Sequence, residues 1–482
     1  MRKRSICYEL TRRDFVRTGA SALLAGCVSP KLAFAGPRLR LGVVSDIHVT
    51  TEAYLYDEHD RICLSTAEMF EWALRYFRNR GVDAVAIAGD LTEYGMVGEL
   101  ERVGAIWRKV FPDNRGKDGE KVEKLFILGN HDAIAWGWKS TYYGGFWEGA
   151  ERTAKWNGSI ARDPAAAWKK CFDEPYAPLE IRDVKGYKFV LGHWLPADPA
   201  KGKWSAGAEV PGLADFLEAH RVELEGSRPF FYIQHAHPKG TCLPFAASDR
   251  GGATAALSKF PNAVAFSGHA HQPLTDERGI WHGTFVSIGT ASLIDAGGRS
   301  FRENGSPFAS GAVDDPRKGF LKTNECRQGL YVTVEDGRLT VERRDFQWGL
   351  PVGPDWTVPE TARTESAPAF QKDAKLSVVA AEDGVRLEFP SANAGGRTYD
   401  YEAQAVLVAD DYEGVVASRR ILAPDYHLPP AKANRPGAVR FGREALPWGA
   451  RIRFEVRPVD CRGRKGDPLA AEWKSPGRDW DV

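Results

Sequence analysis

The chain has 482 residues, enough for two or three domains, and its 43% hydrophobic and 27% charged composition is that of a water-soluble globular protein. The formal net charge of +1 hides an asymmetry: residues 1–35 hold Arg2, Lys3, Arg4, Arg12, Arg13, Arg17 and Lys31 against Glu9 and Asp14, which leaves the remainder near −4. That balance argues against a nucleic-acid binder, which needs a basic surface.

The first element stands apart from the fold. "TRRDFVRTGASALLAGCVSPKLAFAG" joins Arg12 and Arg13 to a weakly apolar run and ends in Ala33-Phe34-Ala35. It resembles a twin-arginine export signal with an A-x-A cleavage site, spanning residues 1–35. "LAGC", Leu24 to Cys27, also resembles a lipoprotein box, in which Cys27 would carry a lipid anchor and tether the chain to a membrane. Cleavage after Ala35 is preferred, because Pro30 and Lys31 suit a segment leading to that site; a plain basic amphipathic helix is the remaining reading. The signal implies the twin-arginine export machinery as a partner and a periplasmic or extracellular destination. That machinery passes folded chains, so a metal can be loaded before export. No other apolar stretch reaches the roughly 18 residues of a membrane span, so no transmembrane helix is expected in the mature chain. The five cysteines beyond the signal (Cys63, Cys171, Cys242, Cys326, Cys461) form no C-x-x-C pair and suggest neither a zinc knuckle nor a disulfide framework.

Strands and helices then alternate. "LGVVSDIH" is a short apolar run that ends in Asp46 and His48. Ser65-Thr66-Ala67-Glu68 is a capping box and predicts a helix start, with Met69, Trp72, Ala73, Tyr76 and Phe77 on one face and Gly81 at the end. "AVAIAGD" reads as a buried strand ending at Asp90, and "KLFILGNHD" as another ending at Asn130, His131 and Asp132. Strand, helix, strand in this order implies right-handed βαβ units and an α/β fold. An insertion rich in Trp, Tyr and Gly runs from about 133 to 187. The pattern resumes with "KFVLGHW", a helix around Leu213 to His220, "FFYIQHAH" ending at His235 and His237, and "AVAFSGHAH" ending at His269 and His271. Short strands predominate from Gly279 to about Trp348. Residues 349–374 are Pro-rich and aperiodic and read as a linker. Over 375–482 the period becomes two: Tyr401, Ala403, Ala405 and Leu407 alternate with Glu402 and Gln404, and Ile452, Phe454 and Val456 alternate with Arg453 and Glu455. This predicts an all-β sandwich, similar to a fibronectin type III module.

In an open α/β sheet the carboxyl ends of the strands share one edge, where ligands bind. Five strand exits here carry Asp, Asn or His. A single such residue is more often structural; five in succession make a site. Asp, Asn and His form a mixed O/N donor set suited to Mn, Fe or Zn, and there are more of them than one ion needs. A centre of two divalent metal ions bridged by an aspartate fits the inventory.

D-x-H (Asp46, His48), G-D (Gly89, Asp90), G-N-H-D (Gly129 to Asp132), the strand-end His235 and G-H-x-H (Gly268 to His271) resemble, in order, the five motifs of the calcineurin-like metallophosphoesterases, over roughly Leu39 to Phe346. The resemblance implies a βαβ sandwich of two sheets flanked by helices over residues 36–348. It implies one metal on Asp46, His48, Asp90 and His271 and a second on Asp90, Asn130, His235 and His269. A bridging hydroxide would attack phosphorus in line, His131 would stabilise or protonate the leaving oxygen, and Asp132 would orient its ring. These roles are physically sound: paired cations acidify a shared water, phosphoryl transfer needs positioning and charge neutralisation, and a carboxylate raises the pKa of a neighbouring histidine. The implied activity is hydrolysis of a phosphomonoester or phosphodiester, on a small molecule or a lipid- or glycan-linked group. The alternatives are a nuclease, disfavoured by the charge balance, and a catalytically silent binding protein, disfavoured by the complete ligand set.

Purple acid phosphatases of this superfamily place a tyrosine ligand three residues after the G-D aspartate. Here that position is Glu93, which disfavours that type; "SDIH", "GDLTEYG" and "GNHD" resemble the bacterial phosphodiesterase branch more. His237 shares a face with His235 and is a rival ligand; His235 is preferred because it directly follows the strand. His193, His220, His282 and His427 read as structural or surface residues, and Cys63 and Cys242 as inert thiols. Trp136, Trp138, Tyr142, Tyr143, Phe146 and Trp147 form either an aromatic substrate wall or the core of a small cap. No implied ligand lies beyond Gly349, so catalysis is expected to be independent of the C-terminal domain.

Overall fold

The computed structural model describes residues 36–55, 58–133, 163–195, 208–243, 248–295, 325–361 and 366–477. The export signal with Cys27 and the aromatic cluster between 136 and 147 lie outside the described residues. β1 (Leu39–Val44), α1 (Glu58–Arg80), β2 (Ala84–Ala88), α2 (Val97–Val110) and β3 (Glu123–Ile127) build a parallel βαβαβ unit. After α3 (Pro164–Phe172) a second sheet forms from β4 (Leu179–Val184), β5 (Tyr187–Gly192), β6 (Phe230–Ile233), β7 (Ala263–Ser267), β8 (Ile280–His282) and β9 (Val286–Gly289), in the order β4-β5-β6-β7-β9-β8. β10 (Gln328–Glu335) and β11 (Arg338–Asp345) return to the first sheet, with β10 antiparallel to β1.

Side-chain alternation explains the layering. Leu41, Val43, Ala86 and Leu125 meet Phe189, Phe231 and Phe266 in a core between the two sheets. Val44, Val85, Ile87 and Phe126 face the other way, onto Phe70, Phe77 and Trp107 of α1 and α2. Val190, Tyr232 and Ala265 of the second sheet are covered by α4 (Leu213–Ala219) and α6 (Gly252–Leu257), the latter separated from α4 by the short α5 (Arg221–Leu224). Each buried large apolar side chain contributes roughly 1.5–3 kcal/mol. Burial on both faces is why these strands read as unbroken apolar runs.

Two details differ from expectation. α1 begins at Glu58, so Ser65 lies inside it and its Oγ donates to Ile62 O at 2.7 Å instead of capping an end. Of its expected face, Met69, Ala73 and Phe77 are buried beside Cys63, Ala67, Phe70 and Leu74, whereas Trp72 is 50% exposed. The buried face therefore contains most of the expected one, and the position of the sheet decides its edge. The Pro-rich stretch expected as a linker supplies β12 (Leu350–Pro351) and β13 (Trp356–Val358), both paired with β11. Strands of two or three residues are too short to show a period, and an edge strand tolerates Pro351.

The C-terminal region is strand-rich, with two single-turn 3-10 helices (Pro430–Lys432 and Arg443–Ala445): β14 (Pro368–Ala369), β15 (Ser377–Ala381), β16 (Gly384–Phe389), β17 (Ala394–Gly395), β18 (Asp400–Ala409), β19 (Tyr412–Leu422), β20 (Gly437–Gly442), β21 (Arg451–Val459) and β22 (Leu469–Lys474). Antiparallel sheets β15-β16-β20 and β19-β18-β21-β22 share one core, with Leu387, Phe389 and Phe441 against Tyr401, Phe454 and Val456. The alternation read along β18 holds to Ala405 and then slips. A bulge between Ala405 and Val406 buries Val406 and Val408 and turns Leu407 toward the other face.

Candidate metal centre

The exits of β1, β2 and β3 from one sheet and of β6 and β7 from the other meet at one edge of the sandwich. His235 Nε2 lies 3.1 Å from Asp90 Oδ2 and 3.0 Å from Asn130 Oδ1. His271 Nε2 is 3.0 Å from Asp46 Oδ1, and His48 Nε2 is 3.6 Å from Asp90 Oδ2. Three groups bring potential ligand atoms within 4.8 Å of one another: Asp46, His48 and His271; His48, Asp90 and His131; Asp90, His235 and His269.

The backbone is bent to make this possible. Asp46, His48, Asp90, His269 and His271 all have φ between 50° and 67°. For side-chain-bearing residues this left-handed region costs on the order of 1 kcal/mol or more each. The turns are locked to one another: Asp46 N donates to Gly89 O at 3.0 Å, and Ile47 N and His48 N donate to Asp90 O at 2.8 and 3.0 Å. Strain gathered at one edge and held by cross-bonds marks a functional site. The motif glycines make room for it. A Cβ on Gly89 would lie 2.3 Å from His235 Nδ1, and one on Gly129 would lie 2.2 Å from Asp90 Oδ1.

The donor chemistry fits cations. His48 Nδ1 lies 2.6 Å from Glu93 Oε2, His235 Nδ1 lies 2.7 Å from Ala88 O, and His271 Nδ1 is bonded to Asp295. A proton on each Nδ1 satisfies these oxygens and leaves the Nε2 lone pairs facing Asp46, Asp90 and Asn130 oxygens. Acceptors facing acceptors repel unless something positive sits between them. Among the described residues His48 Nε2 is buried with no hydrogen-bond partner; His237 Nε2 shares that state, but only His48 Nε2 also faces a motif carboxylate, Asp90 Oδ2 at 3.6 Å. With no cation bound, the same carboxylates favour a proton on these rings instead, and a metal would have to displace it. Burial would discharge His235 and His271, yet Asp90 holds the first at about 9 and Asp295 with Asp46 holds the second at about 10. Burial would raise Asp46, but His271 and His235 keep it at about 2.

Residues 39–273 match the family model for the calcineurin-like phosphoesterase. The chain carries a calcineurin-like phosphoesterase domain. It is a metal-dependent hydrolase of phosphoester bonds. Among solved structures, a dimetal phosphatase from Danio rerio is similar over 66% of this chain and 98% of its own, at 13% identity and a TM-score of 0.37. A purple acid phosphatase from yellow lupin (Lupinus luteus) seeds is similar over 67% and 54%, at 15% identity and a TM-score of 0.40. No curated protein matches the chain.

In this phosphoesterase domain His131 is oriented by a residue other than the expected one. The Asp132 carboxylate accepts from Leu91 N, Thr92 N, Thr92 Oγ1 and Gly129 N at 2.7–3.1 Å, so it ties the Asp90 turn to the Asn130 turn. His131 Nδ1 instead lies 3.0 Å from Glu93 O and 3.5 Å from Glu93 Oε2. Burial works against the charge on His131, but Glu93 and Asp90 raise it to about 9. One carboxylate, Glu93, thus touches both His48 and His131. Sequence reading had Glu93 in view only as a departure from tyrosine. Asp295 was missed altogether, since it belongs to no motif. Trp194 was missed too: its ring lies 5.7 Å from His235 and 5.6 Å from His269.

The other candidate histidines and thiols have these surroundings. His237 Nδ1 is 2.6 Å from Ser267 Oγ, and His237 joins none of the three groups. His193 Nδ1 accepts from Leu128 N at 3.2 Å, and its ring packs against Trp168 and Tyr176. His220, on the surface, pairs with Glu223. Cys63 and Cys242 are buried; Sγ of Cys63 lies 3.6 Å from Glu93 Oε2.

Two substitutions probe this arrangement. Glu93→Gln keeps the shape and removes the charge from both histidines, so kcat/KM should fall about 10- to 100-fold with the fold intact. Steady-state kinetics beside a thermal melt check this, and unchanged kinetics would show that the contact is incidental. Gly129→Ala should displace Asp90 and weaken metal binding by about 10-fold or more. Elemental analysis after gel filtration decides; full metal retention would mean that the close approach is not needed.

Proposed function

We propose that the mature chain is an exported phosphoesterase that binds two divalent ions, Mn, Fe or Zn. Asp46, His48, Asp90 and His271 would hold one, and Asp90, Asn130, His235 and His269 the other. The observation that carries this is the convergence of Nε2 atoms and carboxylates from five strand exits, with His48 Nε2 buried and unpartnered. Bound there, the cations would acidify a water between them and neutralise phosphoryl charge. His131, its ring held by Glu93, would deliver a proton to the leaving oxygen. The substrate is a phosphomonoester or phosphodiester on a small molecule or a lipid- or glycan-linked group; the acidic balance beyond residue 35 speaks against nucleic acid. The C-terminal sandwich, read as fibronectin type III-like, would serve as a second module.

The test is to strip the protein, reload it with each metal, and assay p-nitrophenyl phosphate beside bis(p-nitrophenyl) phosphate. A protein holding two ions that cleaves neither ester would sink this reading. Arg12-Arg13 and Ala33-Phe34-Ala35 support export, and no helix among the described residues is long and apolar enough to cross a membrane. Sequencing the mature N-terminus should find Gly36; a lipid-modified Cys27 would instead make the protein a tethered lipoprotein.

A further inference from the structure

Every proposed ligand precedes the C-terminal sandwich, yet a short relay of hydrogen bonds joins the two. Asp46 O accepts from Leu293 N at 3.2 Å, Ile294 N at 3.1 Å and Ser292 Oγ at 3.2 Å. Asp295 in the same turn is bonded to His271 Nδ1. Residues 292–295 therefore hold two proposed ligands of one ion, the backbone of Asp46 and the ring of His271. This turn is in turn held by the segment 325–328. Arg327 is buried, and its Nη1 donates to Leu293 O at 2.8 Å and to Ile294 O. Gln328 N donates to Ser292 O at 2.8 Å, and Gln328 Oε1 accepts from Leu274 N at 2.8 Å, three residues past His271.

The other side of 325–328 is docked on the sandwich. Gln328 Nε2 and Cys326 Sγ both donate to His427 O, at 3.0 and 3.1 Å. Glu325 accepts two bonds from Arg435, at 2.8 and 3.0 Å, and lies 3.1 Å from His427 Nε2. Lys432 Nζ sits 4.7 Å from the centre of the Trp348 ring. Arg397 Nη2, within the sandwich, donates to the carbonyls of Asp425, Tyr426 and Leu428 and so fixes the docking loop. The His235 side chain bonds to Ala88 O and Asn130 Oδ1, and the second ligand set meets the relay through His269 N, which donates to the Asp46 carboxylate at 3.0 and 3.2 Å.

We propose that the C-terminal sandwich is a buttress for the Asp46/His271 half of the metal centre, with Arg327 as the positioning residue that links them. This rests on the two-metal reading above. It revises the expectation that catalysis is independent of the C-terminal region: outer hydrogen bonds orient metal ligands and tune affinity, and here those bonds are tied to another domain.

Mn2+ titration of the metal-free, full-length protein by calorimetry tests it. The unmodified chain should bind two ions. Arg327→Met, which keeps bulk but removes the donors, should weaken one ion by about 10-fold or more and leave the other nearly unchanged. Arg327→Lys should recover part of the loss. Arg397→Met lies entirely within the sandwich, and it should weaken the same ion by about 3-fold. That variant also covers the case in which Arg327→Met does not fold. Three outcomes would overturn the inference: folded Arg327→Met with both affinities intact, both ions weakened equally, or Arg397→Met with a lowered melting temperature and unaltered Mn2+ binding. An unmodified chain that took up no Mn2+ would instead refute the two-metal reading itself, and this inference with it.

Discussion

Asp90→Ala is expected to abolish tight binding of both ions and to lower phosphoesterase activity on the order of 10³- to 10⁴-fold. Its Oδ2 lies 3.1 Å from His235 Nε2 and 3.6 Å from His48 Nε2, so it stands between both ligand sets. Its Oδ1 also accepts from His131 N at 2.8 Å, so the proposed acid loses its anchor in the same variant. Metal-ion catalysis supplies several kcal/mol of transition-state stabilisation, and each 1.36 kcal/mol is tenfold in rate. Alanine at a φ of 52° adds strain, so Asp90→Asn is the companion. It keeps shape and an acceptor while removing the charge. Elemental analysis of the two variants decides. Retention of two ions in Asp90→Ala would mean that the ligand assignment is wrong.

His131→Ala should keep both ions and lose rate by about 10²- to 10⁴-fold, the range for a general acid. The loss should shrink for esters with good leaving groups such as nitrophenol, because a stable leaving anion needs no proton. A series of aryl phosphates of graded leaving-group pKa measures this directly. An equal loss along the series would exclude proton donation and assign His131 to substrate positioning. Loss of an ion would assign it to the metal, a role its grouping with His48 and Asp90 also permits. Glu93→Gln should show a weaker form of the same leaving-group trend, since Glu93 holds the ring through its backbone and its carboxylate.

Much of the centre was legible because its parts are contiguous. Asp46, Asp90, Asn130 and His269 each follow an apolar run by one or two residues. The end of a parallel strand has one direction to go, so strand plus ligand residue is a local instruction. The glycines in the same motifs are local too: a side chain at Gly89 or Gly129 would collide with His235 or Asp90. The choice of His235 over His237 rested on the same logic of direct succession to a strand, and the structure places His237 against Ser267, apart from the three ligand groups.

What the sequence by itself determined was therefore the set of strands, their order in the α/β region and the residues presented at their exits. Tertiary structure alone decided which partners those residues have. Asp132 is adjacent to His131 in the chain but faces the Asp90 turn, while Glu93, 38 residues earlier, reaches the His131 ring. Asp295 meets His271 across a separation of 24 residues, and His427 meets Gln328 across 99. The row of α1 that is buried and the slip at the β18 bulge were settled the same way, by what packs on each face. The physical reason is range. Periodicity, strand ends and tight turns are dictated by neighbours in sequence, whereas a hydrogen bond between distant segments exists only after sheets, helices and domains have packed and fixed the distance between them.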